Sequence, residues 1–346
     1  MLPLLLACAD PTPQPTPGVH IEEVLLAQAS TVPMVLEGAV INARQTPIVA
    51  GRDLEVRVTL STDSDFERHL VNVNVELLDA EDQVSIAAQE EWMLEPEGGW
   101  IQLSVPADLI QPGTAIAVSV TEVNPEARPG AVQDARKPQA RFLELDAQEI
   151  PALNVVLVPL SYNESPPELA PLQEYQDALM AWFPTPEVSL ELHPVGMDRD
   201  QGTSVEDLAD EVAALGALRL QDDAIGTVYF GIYSGRGGGL AGSREFSPEL
   251  RAAVGPDVDS TGHLKVIGHE IGHLMGAMHT PACAPDSTDP SYPLEDGSVG
   301  VEIWDPRTAA WLPPETPDLM GYCEDAATSP YTANIFAQGL LTGEQL

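Results

Sequence analysis

Two domains of different class follow from the sequence, an all-β sandwich and after it an α/β (α+β) domain. Three observations predict them: a length of 346 residues, apolar residues at every second position up to about residue 145, and strand runs alternating with helical stripes beyond residue 147. A chain this long exceeds the ~100 to 200 residues usual for one domain, and each half can bury its own core. The expected divisions are 1–8 for a leader, 9–31 for a tether, 32–147 for the sandwich and 148–346 for the α/β domain.

Charge narrows the choice of partners. Fifteen Lys and Arg stand against 54 Asp and Glu, a net charge of −39. The only lysines are Lys137 and Lys265, so nothing here could neutralise a row of phosphates, and no nucleic-acid partner is expected. Such a field favours cations and solubility in salt, but by itself names no function. No stretch reaches the ~18 to 20 consecutive apolar residues that a spanning helix requires.

The leader is the short apolar run from Met1 to Ala7, ending at Cys8. Leu5-Leu6-Ala7-Cys8 resembles the lipobox of bacterial lipoprotein signal peptides, which implies a lipid on Cys8, an extracytoplasmic location and membrane attachment through that anchor only. The absence of Lys or Arg before the run departs from the pattern; a trimmed secretory signal or a chance apolar start is the competing reading. Only Cys283 and Cys323 remain besides Cys8. They are one possible pair in an oxidising compartment, or two buried thiols in a reducing one.

From Asp10 to Gly18 proline stands at every second position, which favours extended polyproline II and reads as a tether. The sandwich strands come next. Residues 54–60, 70–77, 100–105 and 115–120 alternate apolar and polar side chains, with turn signals at Gly51, Gly98-Gly99 and Pro112-Gly113, as suits about seven antiparallel strands in an immunoglobulin-like sandwich. No catalytic cluster falls within it, and its lone histidine, His69, is expected at the surface.

In the second domain residues 153–158 form a buried-strand run, Pro166 to Trp182 carries Leu169, Leu172, Gln176 and Leu179 at helical spacing, and residues 188–192 form a second strand. Ser204-Val-Glu-Asp207 has the form of a capping box, followed by the stripe Leu208, Val212, Leu215 and Leu218. A third strand covers 225–233, and a glycine-rich stretch follows to Gly242.

The chemistry is concentrated in His269-Glu-Ile-Gly-His273-Leu-Met-Gly276-Ala-Met-His279. Five fixed positions in this spacing would arise by chance about 10⁻⁵ of the time in such a chain, which makes the pattern far more specific than a bare H-E-x-x-H. Residues four apart lie one helical turn above each other, so His269 and His273 present two imidazoles to one metal ion. The stripe Leu264, Ile267, Ile271 and Leu274 lies nearly opposite them. Glu270 stands beside the histidines, placed to deprotonate a water that the metal acidifies without being a ligand itself. Gly276 lets the chain leave the helix through backbone angles costly for other residues, which returns His279 to the metal. Three imidazoles select one catalytic Zn²⁺ and leave a fourth position open.

This motif resembles that of the metzincin clan of zinc metallopeptidases. The resemblance implies a methionine turn beneath the metal, and Asp318-Leu319-Met320-Gly321-Tyr322 is similar to it, with Met320 as the turn residue. It also implies that Tyr322 approaches the metal and stabilises the tetrahedral intermediate, as in the astacin-like and serralysin-like branches; a packing role is the alternative. Gly239, Leu240, Ala241 and Gly242 match the place where metzincins put the edge strand that pairs with substrate; a mobile glycine loop is the alternative. Cys283 and Cys323 bracket a long loop, and a disulfide between them would tie the methionine turn to the metal helix. Together, residues 260–335 resemble bacterial exported metzincins with a β-sandwich in front, related to mucin-cleaving enzymes. Asp286, Asp289, Asp296 and Glu302 could bind Ca²⁺ but lack the calcium-loop spacing, so solvent exposure is expected of them.

The resulting expectation is a monomeric, exported zinc endopeptidase acting on extracellular proteins or glycoproteins with Glu270 as general base. Its rivals are a catalytically silent zinc-containing surface-binding lipoprotein and a zinc hydrolase for a non-peptide amide or glycoprotein linkage.

Overall fold

The computed structural model describes residues 15–43, 45–123, 134–162, 165–199, 205–235, 237–242, 251–258, 262–285 and 287–343. Cys8, Ser204 and Asp286 lie outside them, and with these the lipidation site, the start of the capping box and one calcium candidate. The chain divides into two compact units. The first comprises residues up to 26, 33–43 and 53–146; the second comprises 27–32, 44–52 and everything from Ala147 onward.

The strands up to the division are β1 (Val19–Ala27), β2 (Thr31–Leu36), β3 (Ala39–Val40), β4 (Ile48–Val49), β5 (Leu54–Thr62), β6 (His69–Leu78), β7 (Val84–Leu94), β8 (Gly99–Val105), β9 (Ala115–Glu122), β10 (Arg136–Lys137), β11 (Leu143–Glu144) and β12 (Ala147–Gln148). One sheet has the order β3-β2-β1-β5-β8; the other runs β10-β9-β6-β7, with β11 also on β9. The ladders β2–β3, β5–β8, β6–β7 and β6–β9 are antiparallel. The alternation read from the sequence is the burial observed: Leu54, Val56, Val58 and Leu60 on β5, and Val71, Val73, Val75 and Leu77 on β6, are all buried. Each such side chain removed from water contributes roughly 1.5–3 kcal/mol.

Two expectations need correction here. Residues 19–27 are a strand within the first sheet, not part of a tether; the polar pair Glu22-Glu23 interrupts the alternation that would have announced it. The strand total among the described residues is higher than seven, because several two-residue strands are too short to show a period and because β7 escapes detection. It lies at the end of its sheet with Val84 and Ile86 exposed, so it has no buried face to impose a period on its sequence. His69 is half-buried, its Nε2 3.3 Å from a Glu122 carboxylate oxygen.

The second unit is a mixed sheet with helices on both faces. Its elements are β13 (Leu153–Tyr162), α1 (Leu172–Trp182), β14 (Val188–Leu192), β15 (Met197–Arg199), α2 (Val205–Gln221), β16 (Thr227–Tyr233), β17 (Leu240–Ala241), β18 (Ala252–Pro256), α3 (His263–Leu274), β19 (Ile303–Asp305), β20 (Ala310–Leu312) and α4 (Pro330–Gly343). The strand order is β14-β13-β16-β18-β17, with β15 also on β13. All these pairings are parallel except β17 with β18, which is antiparallel. Because side chains alternate along a strand, Val155, Leu157, Phe230 and Ile232 pack with Ile267, Ile271, Leu274 and Phe336 on one face. Val158, Leu160, Tyr229 and Val254 meet Leu208, Val212 and Leu215 of α2 on the other.

Helix α1 begins six residues later than the sequence spacing suggests. Pro171 precedes it in an extended conformation, and the restricted backbone before a proline keeps Ala170 out of the helix. Leu169 still packs on the core. The second unit also borrows residues from before 147. Strand β4 pairs in parallel with β12, and the buried guanidinium of Arg52 donates to the carbonyls of Met180 (2.5 Å), Phe183 (2.6 Å) and Thr185 (3.1 Å) around the C-terminus of α1. No helix among the described residues is long and apolar enough to cross a membrane.

Candidate metal centre

Helix α3 carries the first two histidines. Its apolar stripe, Ile267, Ile271 and Leu274, is buried against the sheet, which fixes the rotation of the helix and turns His269 and His273 to the opposite side. Leu264 is only partly buried. The helix ends at Met275, and Gly276 then takes φ +99°, a left-handed conformation that a side chain would strain. Three residues on, His279 arrives beside the other two.

The three imidazoles are held in one orientation by the same device. Nδ1 of His269 donates to Leu319 O (3.0 Å), Nδ1 of His273 to Ala277 O (2.8 Å) and Nδ1 of His279 to Ser287 O (3.1 Å). A proton on each Nδ1 leaves each Nε2 with a bare lone pair. One ligand nitrogen from each ring lies within 4.8 Å of the others, and Nε2 of His273 stands 3.1 Å from Nε2 of His279. Two lone pairs at that distance repel unless a cation lies between them. Zinc bound tetrahedrally at ~2.0–2.1 Å separates two nitrogen donors by roughly 3.3 Å, close to the His273–His279 spacing, and three imidazole nitrogens are donors of the kind zinc takes. Burial pushes His269 down to about 3 and His273 to about 4, with the neighbouring histidines and, for His269, Lys265 adding to the effect. His279 is lowered for the same first reason. Neutral imidazoles are the form a metal requires. Among the described residues these three are the only such cluster, and Asp289, Asp296 and Glu302 belong to none. Asp289 and Asp296 instead accept the backbone N–H groups of Ser291 and Ser298.

Glu270 is buried beside the triad, and burial raises its carboxyl to about 8, opposed by the charge of Lys265. The backbone of Gly239 lies directly over it. A methyl group at Gly239 would sit 2.4 Å from Glu270 Cγ and 2.7 Å from Val254 O.

Beneath the triad lies the methionine turn. Met320 is fully buried against Gly272, where a methyl group would stand only 2.5 Å from its Sδ. Asp318, also fully buried, organises the turn: Oδ1 accepts the Met320 N–H (2.8 Å) and Oδ2 the Ser329 N–H (3.0 Å). This is what aims Leu319 O at His269. Cys283 and Cys323 are joined as a disulfide with Cα atoms 5.3 Å apart, and Tyr322 N–H donates to Ala282 O. The Tyr322 ring, half exposed, stands 4.9 Å from that of His279 and 5.9 Å from that of His269. A disulfide is consistent with an extracytoplasmic compartment.

A cleft of about 890 Å³ opens onto the triad, lined by all three histidines, Glu270, Tyr322, Lys265 and residues 238–241. Within that run Leu240 and Ala241 pair with Val254 and Ala253, Gly242 N–H donates to Ala252 O, and Tyr233 OH donates to Gly238 O. Strand β17 is the last in its sheet order. Sequence reasoning quoted Asp318 within the methionine turn and noted Lys265, but gave neither a role in the site. A buried acid at the head of the turn leaves no sequence signal, whereas Lys265, one of two lysines and one turn before His269, was legible by its rarity.

No protein-family model and no curated protein matches the chain. Among solved structures it is similar to one described as a chaperone-substrate complex, at 10% identity and a TM-score of 0.32, covering 71% of this chain and 38% of that one. It is also similar to metalloproteinase-II from Bacteroides fragilis, at 11% identity and a TM-score of 0.34, covering 84% of this chain and 83% of that one. At such TM-scores these likenesses are remote, and the functional reading rests on the residues gathered around the three histidines.

Proposed function

We propose that the chain is an exported zinc-dependent endopeptidase of metzincin type that hydrolyses extracellular proteins, glycoproteins among them. The observation that carries this reading is the convergence of three bare Nε2 atoms in an open cleft, with a buried carboxylate beside them and a sheet edge along the same wall. His269, His273 and His279 would hold the zinc ion. When bound, zinc supplies Lewis acidity, polarising the scissile carbonyl and bringing the pKa of a water molecule toward ~7.

The chain's own residues supply the rest. Glu270, whose ionised form a cation held by the triad would favour, takes the proton from the attacking water and passes it to the leaving amine. Its position under the Gly239 backbone, away from bulk solvent, supports that role. Residues 239–242 receive an extended substrate by main-chain pairing along β17, which reads backbone before side chains. Tyr322, at the rim of the triad, donates its hydroxyl to the developing oxyanion. Lipidation of Cys8 holds the monomer at a membrane face, and the first unit is an immunoglobulin-like sandwich.

The test is cleavage of a denatured protein mixture and of an O-glycosylated mucin by the full chain, wild type beside Glu270→Ala, with zinc quantified in both. One zinc per chain in each and cleavage by the wild type alone is the expected result. Undiminished proteolysis by Glu270→Ala overturns the mechanism, and full zinc without cleavage by either favours the surface-binding reading.

A further inference from the structure

The chain carries 54 acidic residues and two lysines, and one of those lysines lines the cleft. Lys265 lies one helical turn before His269 on α3, on the same side of the helix. Its Nζ donates to Gly321 O at 2.5 Å, next to Tyr322 at the rim of the triad. It is the only Lys or Arg among the described lining residues, and the one carboxylate beside it there, Glu270, is committed to the reaction.

We propose that Lys265 is the specificity residue of this cleft, selecting a substrate that presents a carboxylate next to the scissile bond. The inference rests on the peptidase reading and deepens it. An ammonium has three N–H donors, and Gly321 O accepts one, leaving two for a ligand. The ammonium is half-buried, so a counter-charge placed there is screened less by water than at an open surface. One point charge suits one carboxylate, while a polyanion would meet the repulsion of a chain at −39. The matching ligand is therefore a single acidic side chain in an otherwise neutral or basic extended segment. A free C-terminal carboxylate has the same chemistry, and the experiment separates the two.

The substrates are peptides of one neutral sequence in which a single Glu is walked through each position, with Gln and Lys counterparts. One set is amidated at the C-terminus and the other is free. The full-length wild type is expected to favour Glu over Gln at one position near the cleaved bond by about tenfold to hundredfold in kcat/KM, the range of one hydrogen bond to a charged group. Amidation should leave that preference unchanged; if instead amidation abolishes cleavage, the carboxylate recognised is the C-terminus and the side-chain assignment fails. Lys265→Met should level the preference while still cleaving the Gln peptide, Lys265→Arg should retain it, and Lys265→Glu should turn it toward the Lys peptide. The arginine variant guards against loss of the Gly321 contact being mistaken for loss of recognition.

Equal cleavage of Glu and Gln peptides by the wild type, or a preference that survives in Lys265→Met, overturns the proposal. Should zinc-loaded wild type cut no peptide, the peptidase reading fails. Calorimetric binding of the same Glu and Gln peptides to wild type and Lys265→Met would then decide the carboxylate recognition independently: a Glu preference lost in the variant supports it, and equal binding refutes it.

Discussion

Gly239 is the position where the smallest change should have the largest catalytic effect. A methyl group there falls 2.4 Å from Glu270 Cγ and 2.7 Å from Val254 O, whereas carbon atoms in contact sit at ~3.5–4.0 Å. Either Glu270 or the segment bearing Gly239 must therefore retreat by roughly 1 Å, and a misplacement of that size costs about 10²-fold in rate. Overpacking of this kind also costs roughly 1–3 kcal/mol of stability, so the variant is expected to fold. Gly239→Ala should lower kcat about a hundredfold with one zinc per chain retained. Gly238→Ala is the internal control, since a methyl group there meets nothing within 4 Å although the residue lines the same cleft. The assay is peptide turnover with zinc content measured alongside. If kcat for Gly239→Ala stays within about threefold of wild type, or if Gly238→Ala falls as far, the backbone of Gly239 does not position Glu270 and the reasoning is wrong.

Replacing Cys283 and Cys323 together by Ser opens a loop closed over a separation of 40 residues, for which the chain-entropy model expects a loss of about 4 kcal/mol. Denaturant unfolding measures it, and a loss near zero would show that other contacts already hold the turn. Asp318→Asn leaves one of its two buried N–H partners facing an amide donor, so a loss of about 1–3 kcal/mol is expected, with weaker zinc binding because Leu319 O no longer steadies His269. Unchanged unfolding and unchanged zinc affinity would remove Asp318 from that role.

The site was legible where local geometry dictates chemistry. The i, i+4 histidines, the glycine that ends the helix and the third histidine are fixed by the helical repeat and by backbone sterics, and the structure brings them together. The longer-range partners were less visible. Asp318 is recognisable only once its backbone donors are near, and Gly239 matters through a contact with a residue 31 positions away. In the fold, strands with one buried face announced themselves by period two. Strand β1, interrupted by Glu22-Glu23, and β7, exposed on both faces, did not. Helix α4 was missed although its start has a local signal: Ser329 Oγ accepts the Thr332 N–H and Pro330 occupies the first turn.

Arg52 has an implication for how this molecule is inherited and dissected. It is only 8% exposed, and it donates to three carbonyls around the end of α1 from a position about a hundred residues ahead of β13. Hydrogen bonds from a charged group contribute about 1.5–3 kcal/mol each. A gene fragment beginning at codon 148 would deliver the second unit without the Arg52 hydrogen bonds, with β12 cut and its β4 partner gone. The two halves are thus not interchangeable cassettes: recombination that swaps the front half must carry residues 44–52 with the back half, or rebuild their contacts from a new sequence.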